Sequence, residues 1–375
     1  MGTPQFGEHR EFWNNAAKAD LLIAILDTED VRDSETAMAA FRDHGERDAR
    51  GLLGYVHDRA TVVDLGCGVG RILAPLSRFC GRAVGVDVSD EMIAQGRAYV
   101  GDLAPRLEFV KTDGRTLPDV ADASVDFLYS LLVLIHVDRR SSFHYFREIR
   151  RVLRPEGIAR LQFHNIMSDE ALAKFVEMSS TEYPLEFYTE AEVRRLLGAA
   201  GLEALQVESS GPYLLVDAVA SPADAWLDLL TRDVRVLDHG TDGAAFADPA
   251  QFDPTSSGTR WVQFAAPERP RQLEAVAALA PTDGLISDAT ALSSGFVPLH
   301  PGHETRLTFG WNPTTQGFDV SVDGDSGLAF ERRKEGTPDG PAQLMLGVLP
   351  PAHPWSAATM ERYPSLFDLR TGQAR

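Results

Sequence analysis

Residues 62–71, VVDLGCGVGR, constrain what this chain can fold into more than any other stretch. The β-branched apolar residues running into Asp64 read as a buried strand, and the glycines at 66, 68 and 70 require a tight turn that residues with side chains resist. Residues 71–79, RILAPLSRF, have the apolar spacing of a helix that follows at once. Strand, turn and helix in that order leave bare backbone against which a nucleotide-sized ligand can lie. The dinucleotide fingerprint G-x-G-x-x-G would need a glycine where Arg71 stands. The pattern here is G-x-G-x-G instead.

Beyond this turn, strand-like and helix-like segments alternate. Residues 83–86 (AVGV) form a second strand ending at Asp87, and Ser89 caps a helix carrying EMIAQGRAYV. Residues 107–111 are a third strand. The fourth begins at 126–130 (DFLYS) and continues through LLVLIHV as a strand buried on both faces. A helix over 139–153 is closed by Pro155 and Gly157 ahead of a fifth strand. The capping box TEAE opens a helix at Thr189, and two more strands follow, the last at 213–219. This order predicts an α/β domain over 61–220: a doubly wound, mostly parallel seven-stranded sheet. Residues 1–60 read as helices, the second capped by Ser34, and lie outside that alternation. After residue 220 come 15 of the 22 prolines, and TRWVQFA, TRLTFGW and GFDVSVDG alternate apolar and polar residues. A smaller β-rich accessory domain is expected over 221–375. Residues 221–237 read as a packing helix, so rigid docking is expected, and a chain cut near Ala220 should lose cofactor binding or aggregate. DGDSG at 323–327 reads as a hairpin turn rather than a calcium loop.

With an acid two residues before the first glycine, the opening motif resembles the first motif of the class I S-adenosylmethionine (SAM)-dependent methyltransferases. GVDVSDEMI and REIRRVLRPEG extend the resemblance, which covers residues 1 to about 220. It implies SAM as cofactor, held by Asp64, Gly66, Gly68, Gly70, Asp87, Met92, Asp113, Gly114 and Ser130. Asp87, at the end of the second strand, is the expected partner of the ribose hydroxyls. Met92 is expected on the adenine face and Asp113 on the adenine amine. The N-terminal helices, with Phe12, Trp13 and Phe41, are similar to the family's lid. Ligands of such sheets lie beyond the carboxyl ends of the strands. His136 and His164 follow the fourth and fifth strands as candidate bases, and Tyr188 is a candidate pocket wall. No Asp- or Asn-Pro-Pro-aromatic run and no magnesium-type carboxylate cluster is evident. Metal-independent methylation of a small molecule is therefore expected, on oxygen ahead of nitrogen or carbon. The rival readings are a nicotinamide-dependent oxidoreductase and a non-catalytic scaffold on the same fold.

Composition narrows the partners. A net charge of −19 argues against a nucleic-acid face. No apolar run reaches the roughly 18 residues of a membrane helix, and the N-terminus lacks the apolar core of a signal peptide. The two cysteines, Cys67 and Cys80, suit a reducing compartment. Cytoplasmic residence and no membrane partner are expected, and self-association is left open. Only four of the 36 basic residues are lysines, as in GC-rich bacterial genomes, where a role in secondary metabolism is expected.

Overall fold

The computed structural model describes residues 6–19, 34–101, 107–181, 183–222, 236–243, 245, 253–267, 271–281, 291–323, 331–334, 336, 342–349, 367–368 and 373–374. The chain divides into two compact units, Met1–Trp226 and Leu227–Arg375.

In the first unit, helices α1 (Phe6–Ala19) and α2 (Ser34–Leu52) precede strand β1 (Thr61–Leu65). There follow a short helix α3 (Leu73–Leu76), β2 (Arg82–Asp87), α4 (Asp90–Val100), β3 (Leu107–Lys111), β4 (Val125–Ser130) and α5 (Arg139–Val152). The unit is completed by β5 (Leu153–Asn165), α6 (Asp169–Met178), β6 (Phe187–Tyr188), α7 (Glu190–Ala199), β7 (Glu203–Ser210) and β8 (Tyr213–Val219). The sheet runs β3-β2-β1-β4-β5-β8-β7, with two-residue β6 paired to the end of β5. β1 to β5 are parallel, and β8 inserts antiparallel between β5 and β7. Its register sets Ile158 against Val219 and His164 against Tyr213. Both faces are apolar, as buried parallel strands require. Val63, Leu65, Val84, Val86, Leu128, Phe146, Ile149, Leu161 and Phe163 share one core.

Three elements differ from the sequence reading. The helix expected over 71–79 is reduced to α3 and a 3-10 turn, Ser77–Phe79. Pro75 lacks the N–H that would bond the Arg71 carbonyl, so one bond is missing from the first turn. β4 stops at Ser130 rather than running through LLVLIHV. Leu132 turns to φ +60, outside the strand region, and its N–H donates to Gln162 Oε1 at 2.9 Å. β5 begins at Leu153, ahead of Pro155 and Gly157. Two of the expected caps are present: Ser89 Oγ accepts from Met92 N–H, and Thr189 and Glu192 form a reciprocal capping box; Ser34 is itself the first residue of α2.

α2 is locked onto the glycine turn. A Cβ at Gly45 would strike the Arg71 carbonyl and come within 2.9 Å of Arg71 Cγ. In an exposed helix Gly→Ala stabilises by about 1 kcal/mol. Here Gly45→Ala is expected to reverse that sign and cost about 1–3 kcal/mol, the usual cost of overpacking, read as a lowered thermal midpoint. Below β5 and β8 lies a buried polar cluster. Arg160 Nη1 donates to both oxygens of Asp217 at 3.0 Å and to Tyr55 Oη at 2.6 Å, and Tyr55 stacks on Phe127 at 4.6 Å.

The described strands of the second unit are β9 (Val236–Gly243), β10 (Gly258–Phe264), β11 (Arg271–Pro281), β12 (Ala291–Leu299), β13 (Thr305–Asn312), β14 (Gly317–Val322), β15 (Glu331–Lys334), β16 (Ala342–Leu349), β17 (Phe367–Asp368) and β18 (Gln373–Ala374). All are paired antiparallel, in a four-stranded sheet, β14-β13-β10-β9, and a six-stranded sheet, β15-β12-β11-β16-β17-β18. β10 (Gly258–Phe264), β13 (Thr305–Asn312) and β14 (Gly317–Val322) are the three segments whose alternation the sequence displays. Their inward residues Val262, Phe264, Leu307, Phe309 and Val320 meet Leu273, Ala275, Val297 and Leu299 of β11 (Arg271–Pro281) and β12 (Ala291–Leu299) in one apolar core. The helix expected over 221–237 falls mostly outside the described residues. Its last two, Val236 and Leu237, open strand β9 (Val236–Gly243) instead. Of DGDSG only Asp323 is described.

Candidate active site

The glycine turn is built by backbone that side chains would obstruct. Gly66, Gly68 and Gly70 sit at φ +82, +53 and +81, and a Cβ at Gly66 would collide with the isopropyl group of Val133. The N–H groups of Gly66 and Cys67 both donate to the Val86 carbonyl, at 2.7 and 3.1 Å. Asp87 closes the turn from β2. One carboxylate oxygen accepts from Gly68 N–H and the other from Ser89 N–H, both at 2.8 Å. Burial raises its pKa, and the N–H groups of Ser89, Gly68 and Val88 pull it back.

Beyond the carboxyl ends of β2, β1, β4 and β5 lies a cavity of about 430 Å3. Asp64, Gly66, Gly68, Asp87, Met92 and Gly114 line it on the side of the turn. Asp64 accepts from Tyr129 Oη at 2.8 Å. Burial pushes its pKa up to about 7; the Tyr129 hydroxyl and Arg71 pull it down, and Asp87 pushes it up. Arg71 also lines the cavity, pinned by Asp48 of α2 at 2.7 Å and lying 5.9 Å from the centre of the Phe41 ring. Trp13 of α1 reaches the wall, and Asn14 Oδ1 accepts from Ser89 Oγ at 2.7 Å, so α1 is fastened to the start of α4.

The opposite side carries aromatic rings and two imidazoles. His136 follows β4, meeting Trp13 and Tyr183 edge to face with ring centres 5.2 and 5.5 Å away. Its Nδ1 lies 2.9 Å from the Pro184 carbonyl, a contact made only with the proton on Nδ1, so in the neutral ring Nε2 carries the lone pair. His164, at the end of β5, is 3% exposed and sandwiched between Phe187 and Tyr213, ring centres 4.7 and 5.3 Å away. One ring nitrogen bonds the backbone of Glu186, and Nδ1 is buried with no hydrogen-bond partner. Burial lowers its pKa to about 4; the Glu186 bond opposes that, and Lys174 of α6 adds to it.

Four of the residues singled out from sequence do not line this cavity. Gly70 N–H donates to the Cys67 carbonyl at 2.8 Å, shaping the turn from behind. Ser130 is fully buried, its hydroxyl donating to the Leu65 carbonyl at 2.9 Å. Asp113 folds back on its own turn, accepting from Arg115 N–H, Thr116 N–H and the Thr116 hydroxyl. Burial raises its pKa, but those bonds outweigh it and hold the carboxylate low. Tyr188 lies in the core against Phe163 at 5.2 Å, with the Arg139 guanidinium over its ring at 4.7 Å. Sequence reasoning missed Tyr129, Tyr145, Lys174, Tyr183 and Tyr213 as lining residues, and took Arg71 only as a missing glycine.

Sheet order, glycine turn and the acids that end β1 and β2 define a nucleotide-cofactor enzyme fold. Comparison with known proteins specifies it. The profile of the methyltransferase-domain family matches residues 63–161. Methyltransferase GfsG of Streptomyces halstedii is 32% identical over 194 residues, 45% of this chain and 68% of that one. An uncharacterized 37.1 kDa protein in transposon TN4556 of Streptomyces fradiae is 39% identical over 215 residues, 55% of this chain and 57% of that one. Among solved structures, magnesium protoporphyrin IX methyltransferase of Synechocystis with bound SAH is 19% identical, covering 58% of this chain and 100% of that one at a TM-score of 0.46. The chain thus spans about two thirds of the first relative and little more than half of the second. It belongs to the class I SAM-dependent methyltransferase family, whose cofactor is SAM.

Proposed function

We propose that the chain methylates a hydroxyl group of a small molecule in the cytoplasm, without a metal. One observation carries this reading: a single cavity joins the glycine turn and Asp87 to two imidazoles at the ends of β4 and β5. Among the described residues no three His, Cys, Asp or Glu side chains converge as a metal site would need, and no helix is long and apolar enough to cross a membrane. The residues fit the cofactor. Bare backbone at Gly66 and Gly68 allows close approach, Asp87 offers acceptor lone pairs to ribose hydroxyls, and Asp64 offers an anion to a cationic group. SAM, when bound, supplies an electrophilic methyl group on a sulfonium.

The chain's own contribution is to orient, to exclude water and to take a proton. His136 is the base, because its lone-pair nitrogen is fixed by the Pro184 bond. His164, neutral above pH about 4, is a weak base that orients the acceptor. His136→Ala is expected to lower kcat by roughly 10²–10⁴, the range for a lost general base, whereas His164→Ala mainly raises KM. Turnover of methyl-labelled SAM with a panel of phenol, amine and carbon acceptors checks both, and exclusive labelling of nitrogen or carbon overturns the oxygen assignment.

The ionisation of Asp64 gives a pH dependence whose sign is fixed. In the free protein it is protonated below about pH 7. A cationic ligand favours the carboxylate, so binding below that pH must first remove a proton. SAM affinity is therefore expected to rise with pH up to about 7 and then flatten, with a slope of at most about tenfold per pH unit. Calorimetric titration at several pH values checks this. SAH, lacking the sulfonium charge, is expected to respond less.

A further inference from the structure

Resting on the methyl-transfer reading above, we propose that the acceptor is a planar hydroxy acid, a ring-bearing body with both a hydroxyl and a carboxylate. The β4–β5 side of the cavity is walled by rings: Trp13, His136, Tyr183, Tyr213 and His164. Flat, apolar partners pack best against such walls, edge to face or offset.

Two polar features stand out among these rings. Asp64, Asp87 and Arg71 belong to the turn side, and Asp138 is spent capping α5, accepting from Arg140 N–H, Ser141 N–H and the Ser141 hydroxyl. Among the described lining residues this leaves Lys174, on α6 directly after β5, as the cationic side chain of the acceptor side. Lys174 also contacts protein groups; what it adds here is positive charge beside His164. His164 Nδ1, buried and unpartnered, is a lone pair awaiting a donor. A carboxylate answers the first feature, and the acceptor hydroxyl answers the second as it binds, before its proton passes to His136. An ammonium-bearing acceptor would be repelled by Lys174, and a pure hydrocarbon would leave His164 Nδ1 without a donor.

The test uses the full chain saturated with SAH and three probes of one shape: salicylate, 2-hydroxybenzyl alcohol and 2-hydroxybenzylamine. Binding is followed by calorimetry and ligand-observed NMR. Salicylate is expected to bind about tenfold or more tightly than the other two, as a charge-assisted contact provides. Lys174→Gln should erase that preference and Lys174→Arg keep it, with SAH affinity unchanged in both. Equal binding of the alcohol or amine by the unaltered chain, a preference that survives Lys174→Gln, or no binding of salicylate overturns the proposal. SAH binding is read first in the same experiment, so its failure would instead remove the methyl-transfer reading itself.

Discussion

Asp87→Ala is expected to weaken SAM and SAH binding by about 10²- to 10³-fold, because hydrogen bonds to a charged group contribute about 1.5–3 kcal/mol each and several depend on this carboxylate. Its oxygens hold Gly68 N–H and Ser89 N–H, both at 2.8 Å, so the substitution removes a ribose acceptor and also unfastens the turn. Asp87→Asn, which retains one acceptor oxygen but no charge, should fall between. Calorimetry on protein that remains folded by circular dichroism gives the answer, and unchanged affinity would move the ribose contact elsewhere.

Asp217→Ala is expected to destabilise the first unit by about 3–5 kcal/mol, the cost of leaving a buried guanidinium without its partner. Asp217 is 1% exposed at its side chain and Arg160 14%, so water cannot compensate either group well. Glu208, 3.5 Å from Arg160, softens the loss. All described α-helices lie in the first unit, so the helical circular dichroism signal during chemical denaturation reports on that unit rather than on the β-rich one. Replacing the pair by apolar residues, Arg160→Met with Asp217→Leu, should recover much of the stability. A transition unmoved by Asp217→Ala would show that the cluster is not holding β5 to β8.

The parallel core was legible because its strands are short β-branched runs separated by helices with caps readable residue by residue, Ser89 and Thr189 among them. Asp87 was legible for the same reason: it ends a strand beside the turn. Ser130 and Asp113 rest on the family resemblance, and Tyr188 on its place just ahead of the capped helix at Thr189. Spacing along the chain does not say which way a side chain turns, and all three satisfy local or core contacts instead. The end of β4 was misjudged because LLVLIHV is apolar for another reason. Leu131, Leu132, Val133, Ile135, His136 and Val137 line the cavity, and the strand is broken by the φ of Leu132 and by a turn in which His136 N–H donates to the Val133 carbonyl at 2.9 Å. Arg71 was visible as a departure from the fingerprint, but its role needs Asp48 and Phe41, some 20 to 30 residues away in sequence. Lys174 and Tyr183 lie in and after α6, where no motif marks them.

The central claim, that the cavity beside the glycine turn is a SAM site, is tested most directly by titrating the full chain with SAH and, separately, with NADH. One SAH bound per chain, abolished or severely weakened in Asp87→Ala, and no NADH binding is the expected result. Binding of NADH with no heat from SAH would contradict it.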